Sequence, residues 1–310
     1  MDQKESYPVF EEQGEALMDL ISFCRQQGIL LEAMPTIGVW TRHPTVDHPK
    51  KRNGAVKFLG DFAFVQNHAT QTSVSVWRRT GVLTESERRM IDVTLRGAKD
   101  RMIKGQERAA LRAAAMFKHA HPSTHPYLEK KGFPKVTGFV IELDDQPTLC
   151  VPMFVGNRMV GCQMIKPDGQ KRFLSGQRTS GAEFRFDKRG MHILVEGYAT
   201  GLAVREAMTA LRLPYTIHVT FSAGNMKTIA AGLPDGLVIA DNDASGTGER
   251  VAKEIGWRFW MSDVVGEDAN DAWRRQGTFK LSQAISALLR TERLAGRSRS
   301  GHQGLGVTAA

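Results

Sequence analysis

The sequence predicts an α/β protein: a parallel sheet flanked by helices, preceded by a basic β-rich segment and an α+β N-terminal region. From residue 192 onward, short apolar runs alternate with helical segments, which is typical of a parallel sheet with helices on its faces. Apolar and polar residues alternate within 36–80, which favours a small antiparallel sheet. Within 127–190 the runs LCVPMFV, RMVGCQMIK and KRFL are strand-like and are separated by turn signals, which indicates a second, β-rich segment. A continuous helical pattern covers 84–120.

The N-terminal region begins with an amphipathic pattern over 11–28, which predicts a helix ending at Gly28. The small sheet over 36–80 and the long helical pattern follow it. Pro122 and Pro126 then interrupt the chain, and we predict a domain boundary there. The predicted segments are therefore an N-terminal region, a β-rich subdomain, the α/β domain and a basic, disordered tail, at 1–120, 121–190, 191–290 and 291–310.

The α/β domain is predicted element by element. Apolar runs bounded by turn residues place its strands at 192–196, 216–221, 236–240 and 258–262. The segments between and after them predict helices near 200–211, 225–231, 246–256 and 280–290.

The composition indicates a basic protein of a reducing compartment. Its 310 residues carry a net charge of +9, which suggests a polyanionic partner, although a basic protein without a nucleic-acid role remains open. The three cysteines are far apart and form no metal-ligand pattern, so we expect a cytoplasmic protein without zinc. No apolar run is long enough to cross a membrane, and no membrane partner is predicted.

Five carboxylates follow, or closely trail, the predicted strands of the α/β domain. They stand in the motifs HILVEGYAT, VIADNDASG and VGEDANDAW, as Glu196, Asp241, Asp243, Asp268 and Asp271. Carboxyl ends of parallel strands meet at one edge of a sheet, and carboxylates gathered there repel one another without cations between them. Hard oxygen ligands suit Mg²⁺ or Mn²⁺.

Each of these carboxylates also has a structural alternative. Glu196 and the aspartates could cap the helices or turns that follow them. Asp241 and Asp243 are separated by one residue, so in an extended chain both side chains point the same way and can share a metal. Asp268 and Asp271 are three residues apart and could face one side of an incipient helix as metal ligands.

The motifs EGYATGLAV, VIADNDASGTGERVA and GEDANDAW resemble, in sequence and in order, those of the toprim domain of phage- and plasmid-type DNA primases. The resemblance covers about residues 120–275 and includes the upstream HPYLEKKG, LCVPMFVGNRMVGCQMIKPDGQKRFLSG and EFRF. It implies metal-dependent joining of ribonucleoside triphosphates into short RNA primers on single-stranded DNA, for plasmid or phage replication or conjugation.

The same resemblance implies roles for individual residues. Glu196 would be the general acid/base, and Asp241, Asp243, Asp268 and Asp271 would hold Mg²⁺ or Mn²⁺. In the basic segment, Lys166, Lys171 and Arg172 would pair with the triphosphate or the template backbone, and Phe173 would stack on a base or lie in the core.

Two features of replisome primases are missing from this sequence: a Cys/His zinc module and a helicase motor. The resemblance therefore implies a separate replicative helicase, or DNA that is already single-stranded. Two alternatives remain open from the sequence. One is a metal-dependent nuclease that uses the same carboxylates, and the other is a non-catalytic single-strand-binding accessory protein.

Overall fold

The computed structural model describes residues 8–71, 73–79 and 85–300, apart from the side chains of 8–16, 87, 98 and 291–300. The chain divides into two compact units, Met1–Lys104 and Gly105–Ala310. The division falls inside helix α2, which runs over Glu85–His119, whereas the sequence places a boundary at the end of that helix. The predicted segments 121–190 and 191–290 belong to one unit.

The first unit contains helix α1 (Pro8–Gln26) and a four-stranded antiparallel sheet, as the sequence predicts. Apolar side chains of α1, among them Leu20 and Cys24, pack with Val56, Val65 and Trp77 of this sheet. The strands follow one another in space in chain order: β1 (Trp40–His43), β2 (Gly54–Phe58), β3 (Phe62–Asn67) and β4 (Ser75–Arg78).

The second unit begins with the β-rich segment that the sequence predicts. Five antiparallel strands form a sheet in chain order, and the short helix α3 (Pro126–Lys130) lies between the first two. The strands are β5 (His121–Ser123), β6 (Gly138–Leu143), β7 (Gln146–Val155), β8 (Arg158–Ile165) and β9 (Lys171–Phe173).

A second five-stranded sheet follows in the order β10-β12-β11-β13-β14. Strand β10 is antiparallel to β12, and the other neighbours are parallel. Its strands are β10 (Phe184–Asp187), β11 (Met191–Val195), β12 (Tyr215–Val219), β13 (Leu237–Ala240) and β14 (Arg258–Met261). Its helices are α4 (Tyr198–Ala210), α5 (Ala223–Ala230), α6 (Thr247–Ile255) and α7 (Ala269–Ser300). The predicted α/β alternation is confirmed.

Both faces of β12, β13 and the second half of β11 are buried, which explains their largely apolar sequences. Ile193 and Val195 of β11 belong to a core that also holds Leu149 and Met153 of β7. Leu194, on the other face, packs with residues of α5 and α6. The β-rich segment and the parallel sheet therefore share a hydrophobic core.

Helix α7 differs from the sequence prediction at both ends. It begins at Ala269, has non-helical dihedral angles at Gly277, and continues to Ser300. Residues 291–300 of the predicted disordered tail are therefore helical, and 301–310 lie outside the described residues. Glu, Arg, Leu and Ala have favourable helix propensities, so a polar composition alone does not end a helix. None of the described helices has the length and apolar character needed to span a bilayer.

Candidate active site

The carboxyl ends of two neighbouring parallel strands position the first two predicted site residues. Val195 of β11 lies beside Ile239 of β13 in register. Glu196 directly follows β11, and Asp241 directly follows β13. The two carboxylates therefore emerge at the same edge of the sheet, as the chain order predicts.

A cavity of about 130 Å³ lies at this edge. Three predicted carboxylates, Glu196, Asp241 and Asp268, line it together with the predicted cation Lys171. Such a cavity has room for a small cation or for several water molecules. The remaining lining residues are Tyr127, Gln163, Gly197, Ala199, Thr200 and Phe221.

Asp241 is the most perturbed carboxylate of the cavity. Burial, followed by the charges of Glu196 and Asp268, raises its pKa from 3.8 to about 7, against the opposing charge of Lys171. Its Oδ1 atom is buried and has no hydrogen-bond partner among the described residues. An unpaired buried carboxylate oxygen is costly, so this atom is a candidate ligand for a cation.

The pKa of Glu196 is also raised. Burial is the main cause, and the charge of Asp243 adds to it. Lys171 and a backbone hydrogen bond involving Ala223 act in the opposite direction. A carboxyl group whose pKa is raised by its surroundings is suited to exchange protons near neutral pH.

Asp243 is not among the residues that line the cavity, and the expectation that it points the same way as Asp241 stays a prediction. Strand β13 ends at Ala240, so both aspartates lie beyond the end of the strand. The carboxylate of Asp243 accepts hydrogen bonds from the backbone N–H groups of Ser245 (2.8 Å) and Gly248 (3.1 Å). These bonds and that of the Ser245 hydroxyl lower its pKa. Asp243 therefore caps the start of α6 and acts on Glu196 and Asp241 through its charge.

Asp268 and Asp271 have different positions. Asp268 lines the cavity, and its Oδ1 accepts a hydrogen bond of 2.9 Å from the backbone N–H of Asp271 at the start of α7. Lys131 Nζ lies 3.8 Å from Asp268 and 3.4 Å from Asp271. Asp271 is outside the cavity lining, so the structure brings only the first of this pair to the other carboxylates.

Of the predicted basic residues, Lys171 lines the cavity, whereas Lys166 and Arg172 do not. Lys171 and Phe173 lie on one face of β9 and Arg172 on the other, because successive side chains alternate along a strand. Phe173 is 41% exposed and contacts the ring of Phe221 edge-on, with 6.3 Å between centroids. The backbone of Lys166 forms hydrogen bonds with the backbones of Gly169 and Gln170 in the turn before β9. Lys166 is outside the cavity lining. Lys171 is therefore the predicted cation that reaches the carboxylates.

Sequence reasoning missed several residues of the cavity. Tyr127 is 3% exposed, and its hydroxyl has no hydrogen-bond partner among the described residues. Gln163 is buried on β8 beside Phe173 of β9. Phe221 has a φ of 65°, an unusual backbone conformation for a bulky residue that often marks functional sites. HPYLEKKG contains Tyr127, whereas nothing local in the sequence indicates Gln163 or Phe221.

The donor set of the cavity fits a divalent cation. Within the described ranges no three His, Cys, Asp or Glu side chains are arranged as a closed metal cluster. Mg²⁺ does not need one, since it is usually held by one or two carboxylates together with water and substrate phosphates. Asp241, with its unpaired buried oxygen, and Asp268 supply such a pair.

No protein-family model matches the sequence, and no curated protein matches it either.

Proposed function

We propose that the protein is a toprim-type DNA primase that joins ribonucleotides into short primers on single-stranded DNA. The observation that carries the proposal is the cavity in which Glu196, Asp241 and Asp268 meet Lys171. The four parallel strands with flanking helices agree with the fold that the motifs imply.

Asp241 and Asp268 are the residues proposed to hold Mg²⁺ or Mn²⁺. When bound, the ion would activate the 3′-hydroxyl of the growing primer and neutralise charge on the triphosphate. Because the pKa of Asp241 is about 7, Asp241 is partly protonated near neutral pH and would release this proton when it holds a cation. The ion pairs of Lys131 with Asp268 and Asp271 hold Asp268 from outside the cavity, and the negative charge of Asp243 adds to the attraction of the site for a cation.

Glu196 is proposed to accept the proton of the 3′-hydroxyl. Its raised pKa makes it a stronger base than an ordinary glutamate. Lys171 lies in the same cavity and is placed to contact a phosphate oxygen of the incoming nucleotide. The exposed ring of Phe173 on the same face of β9 offers a surface on which a base can stack.

Template-dependent primer synthesis with labelled ribonucleotides tests the proposal. The wild-type protein should give short RNA products that require both the template and Mg²⁺ or Mn²⁺. Glu196→Gln should lower the rate by about 10²–10⁴-fold, the usual contribution of general acid–base catalysis. Glu249→Gln on α6 is the matched control, since Glu249 pairs with Lys253 at the surface, and it should retain wild-type activity.

Absence of product from the wild-type protein on several templates would refute the primase. The same carboxylates suit metal-dependent hydrolysis of DNA, so a supercoiled plasmid should be included in the assay, and nicking would indicate a nuclease. A non-catalytic accessory protein would bind single-stranded DNA without either reaction. Binding should weaken with salt, with a log–log slope of about −0.7 per phosphate contact.

A further inference from the structure

A second cavity, of about 480 Å³, lies against one face of β10, β12 and β11. His192, near the start of β11, lines it, whereas Glu196 follows the end of the same strand. β10 and its flanking residues contribute Glu183, Arg185 and Arg189, and β12 contributes His218. Its volume is within the range of small-molecule sites, ~300–1,000 Å³. The proposed primase reaction gives no role to this cavity.

Three side chains of this cavity form a continuous hydrogen-bonded chain. Glu183 Oε2 lies 2.5 Å from Nδ1 of His218, and Nε2 of His218 lies 3.0 Å from Nδ1 of His192. His218 is 2% exposed, so its imidazole is shielded from solvent between the other two. An ionised carboxylate only accepts, so Nδ1 of His218 donates to Glu183. In neutral His218 the Nε2 atom then accepts from His192, which leaves Nε2 of His192 as the unused ring atom.

The hydrogen-bonded series His192–His218–Glu183 can take up a proton without leaving an isolated buried charge. When a proton binds Nε2 of His192, the proton on its Nδ1 can pass to Nε2 of His218. His218 then becomes an imidazolium paired with the carboxylate of Glu183. The stored charge is therefore compensated inside the protein, and Nε2–H of His192 becomes a new donor.

The free protein keeps His192 neutral at pH 7. Burial, followed by the charge of His218, lowers the pKa of His192, while Asp235, Glu183 and Asp187 raise it less. The cations Arg185 and Arg189 also line the cavity. An anion bound beside Arg185 and Arg189 would accept a hydrogen bond from Nε2–H of His192 and would therefore favour uptake of the proton.

The remaining polar groups of the cavity favour an anionic ligand. The carboxylate of Glu183 already pairs with His218 and with Arg185, and Asp187 accepts from the backbone of Arg189 and the hydroxyl of Thr216. Nε of Arg185 lies 3.4 Å from Oε1 of Glu183. The guanidinium of Arg189 forms no hydrogen bond or ion pair with any residue in the described part of the chain. The two arginines and the two carboxylates of the lining balance in formal charge, and the remaining guanidinium N–H groups suit phosphate-like oxygens.

We propose that this cavity binds a tetrahedral oxyanion of the phosphate class and takes up one proton at His192 when it does so. Arg185 and Arg189 supply the fixed positive charge. The chain from His192 through His218 to Glu183 supplies the proton-dependent donor. The ligand is either free phosphate or the phosphate group of a phosphomonoester, since both have the same charge and oxygen geometry.

Calorimetry with sulfate tests the proton uptake, because sulfate does not titrate near neutral pH. Titrations of the full chain at pH 7 in buffers of different ionisation enthalpy should give an uptake of about one proton per sulfate bound. His192→Gln should reduce this number to about zero. Absence of saturable sulfate binding by the wild-type protein, or binding without proton uptake, would overturn the proposal.

Arg189→Asn tests the anion contact without altering the hydrogen-bonded chain. Arg189 has a φ of 52°, and asparagine tolerates this conformation better than most residues. The loss of a charged hydrogen bond should weaken sulfate binding by about tenfold or more. Arg212→Asn is the matched control, because Arg212 is an exposed arginine with a φ of 53° outside the cavity lining. Equal affinities of the two variants would contradict the assignment of Arg189.

Inorganic phosphate and a nucleoside monophosphate, titrated separately, distinguish the two sources. Similar affinities would indicate free phosphate, and at least tenfold tighter binding of the monophosphate would indicate a phosphomonoester. Failure of both to bind would refute the site. Glu196→Gln should leave sulfate binding unchanged, so the outcome is independent of the proposed primase activity.

Discussion

Asp241→Asn gives the sharpest test of the proposed cation site. The pKa of Asp241 rises from 3.8 to about 7 in the folded protein, so its ionisation destabilises the fold. At ~1.4 kcal/mol per pH unit this rise corresponds to about 4 kcal/mol at pH 8. Local relaxation and entry of water reduce such a penalty, and we expect about 2–4 kcal/mol. Asparagine has the same shape without the charge.

The expected effect has a defined pH dependence. Because the folded state holds the proton of Asp241 more tightly than the unfolded state does, the stability from this group is complete below about pH 4. It is lost as the pH rises through about 7. Asp241→Asn should not show this loss. The variant should therefore match the wild type near pH 4 and exceed its free energy of unfolding by about 2–4 kcal/mol at pH 8.

Urea unfolding at pH 4, 6 and 8 measures this difference. Tryptophan fluorescence is a suitable signal, because Trp257, Trp260 and Trp273 all belong to the second unit. The titration should be repeated with 10 mM Mg²⁺. If the dissociation constant is about 1 mM, this concentration should stabilise the wild type by about 1.4 kcal/mol and leave the variant unchanged.

Asp243→Ala is the control of opposite sign. Asp243 caps α6 through the backbone N–H groups of Ser245 and Gly248. Its loss should destabilise the protein by about 0.5–2 kcal/mol. The reasoning about Asp241 would be refuted if Asp241→Asn were no more stable than the wild type at pH 8. It would also be refuted if Mg²⁺ stabilised both proteins equally.

Three further predictions follow from the same site. Gly248→Ala would place a Cβ 2.2 Å from the backbone oxygen of Asp241, so we expect at least ~1 kcal/mol of destabilisation; an unchanged melting temperature would contradict it. Tyr127→Phe removes a buried hydroxyl that lacks a described partner. Its stability should change by less than ~1 kcal/mol, while Mg²⁺ affinity, measured by calorimetry, should fall about tenfold. Lys131→Met breaks two partly exposed ion pairs and should lower the free energy of unfolding in urea by at most ~1 kcal/mol. A larger decrease would contradict this prediction.

Much of the second unit was predictable because its strands are short apolar runs with turns between them. Runs such as Ile193–Val195 are buried on both faces, so their sequence is apolar throughout and their boundaries are clear. Since parallel strands present their carboxyl ends at one edge, the chain order alone brought Glu196 and Asp241 together. The ends of helices were harder to predict from the sequence. Residues 291–300 are mostly polar, yet they continue α7.

The sequence by itself determined the order of strands and helices and the edge at which Glu196, Asp241 and Asp268 meet. Only the tertiary structure decided that the carboxylate of Asp243 caps α6 and that Asp271 pairs with Lys131. It also brought Tyr127 and Gln163 to the site, and Glu183 to His218. The physical reason is that the order of strands and helices along the chain follows from local apolar patterns. The partner of a single side chain depends instead on residues distant in the chain, such as Lys131 and Asp271, whose packing no local pattern encodes.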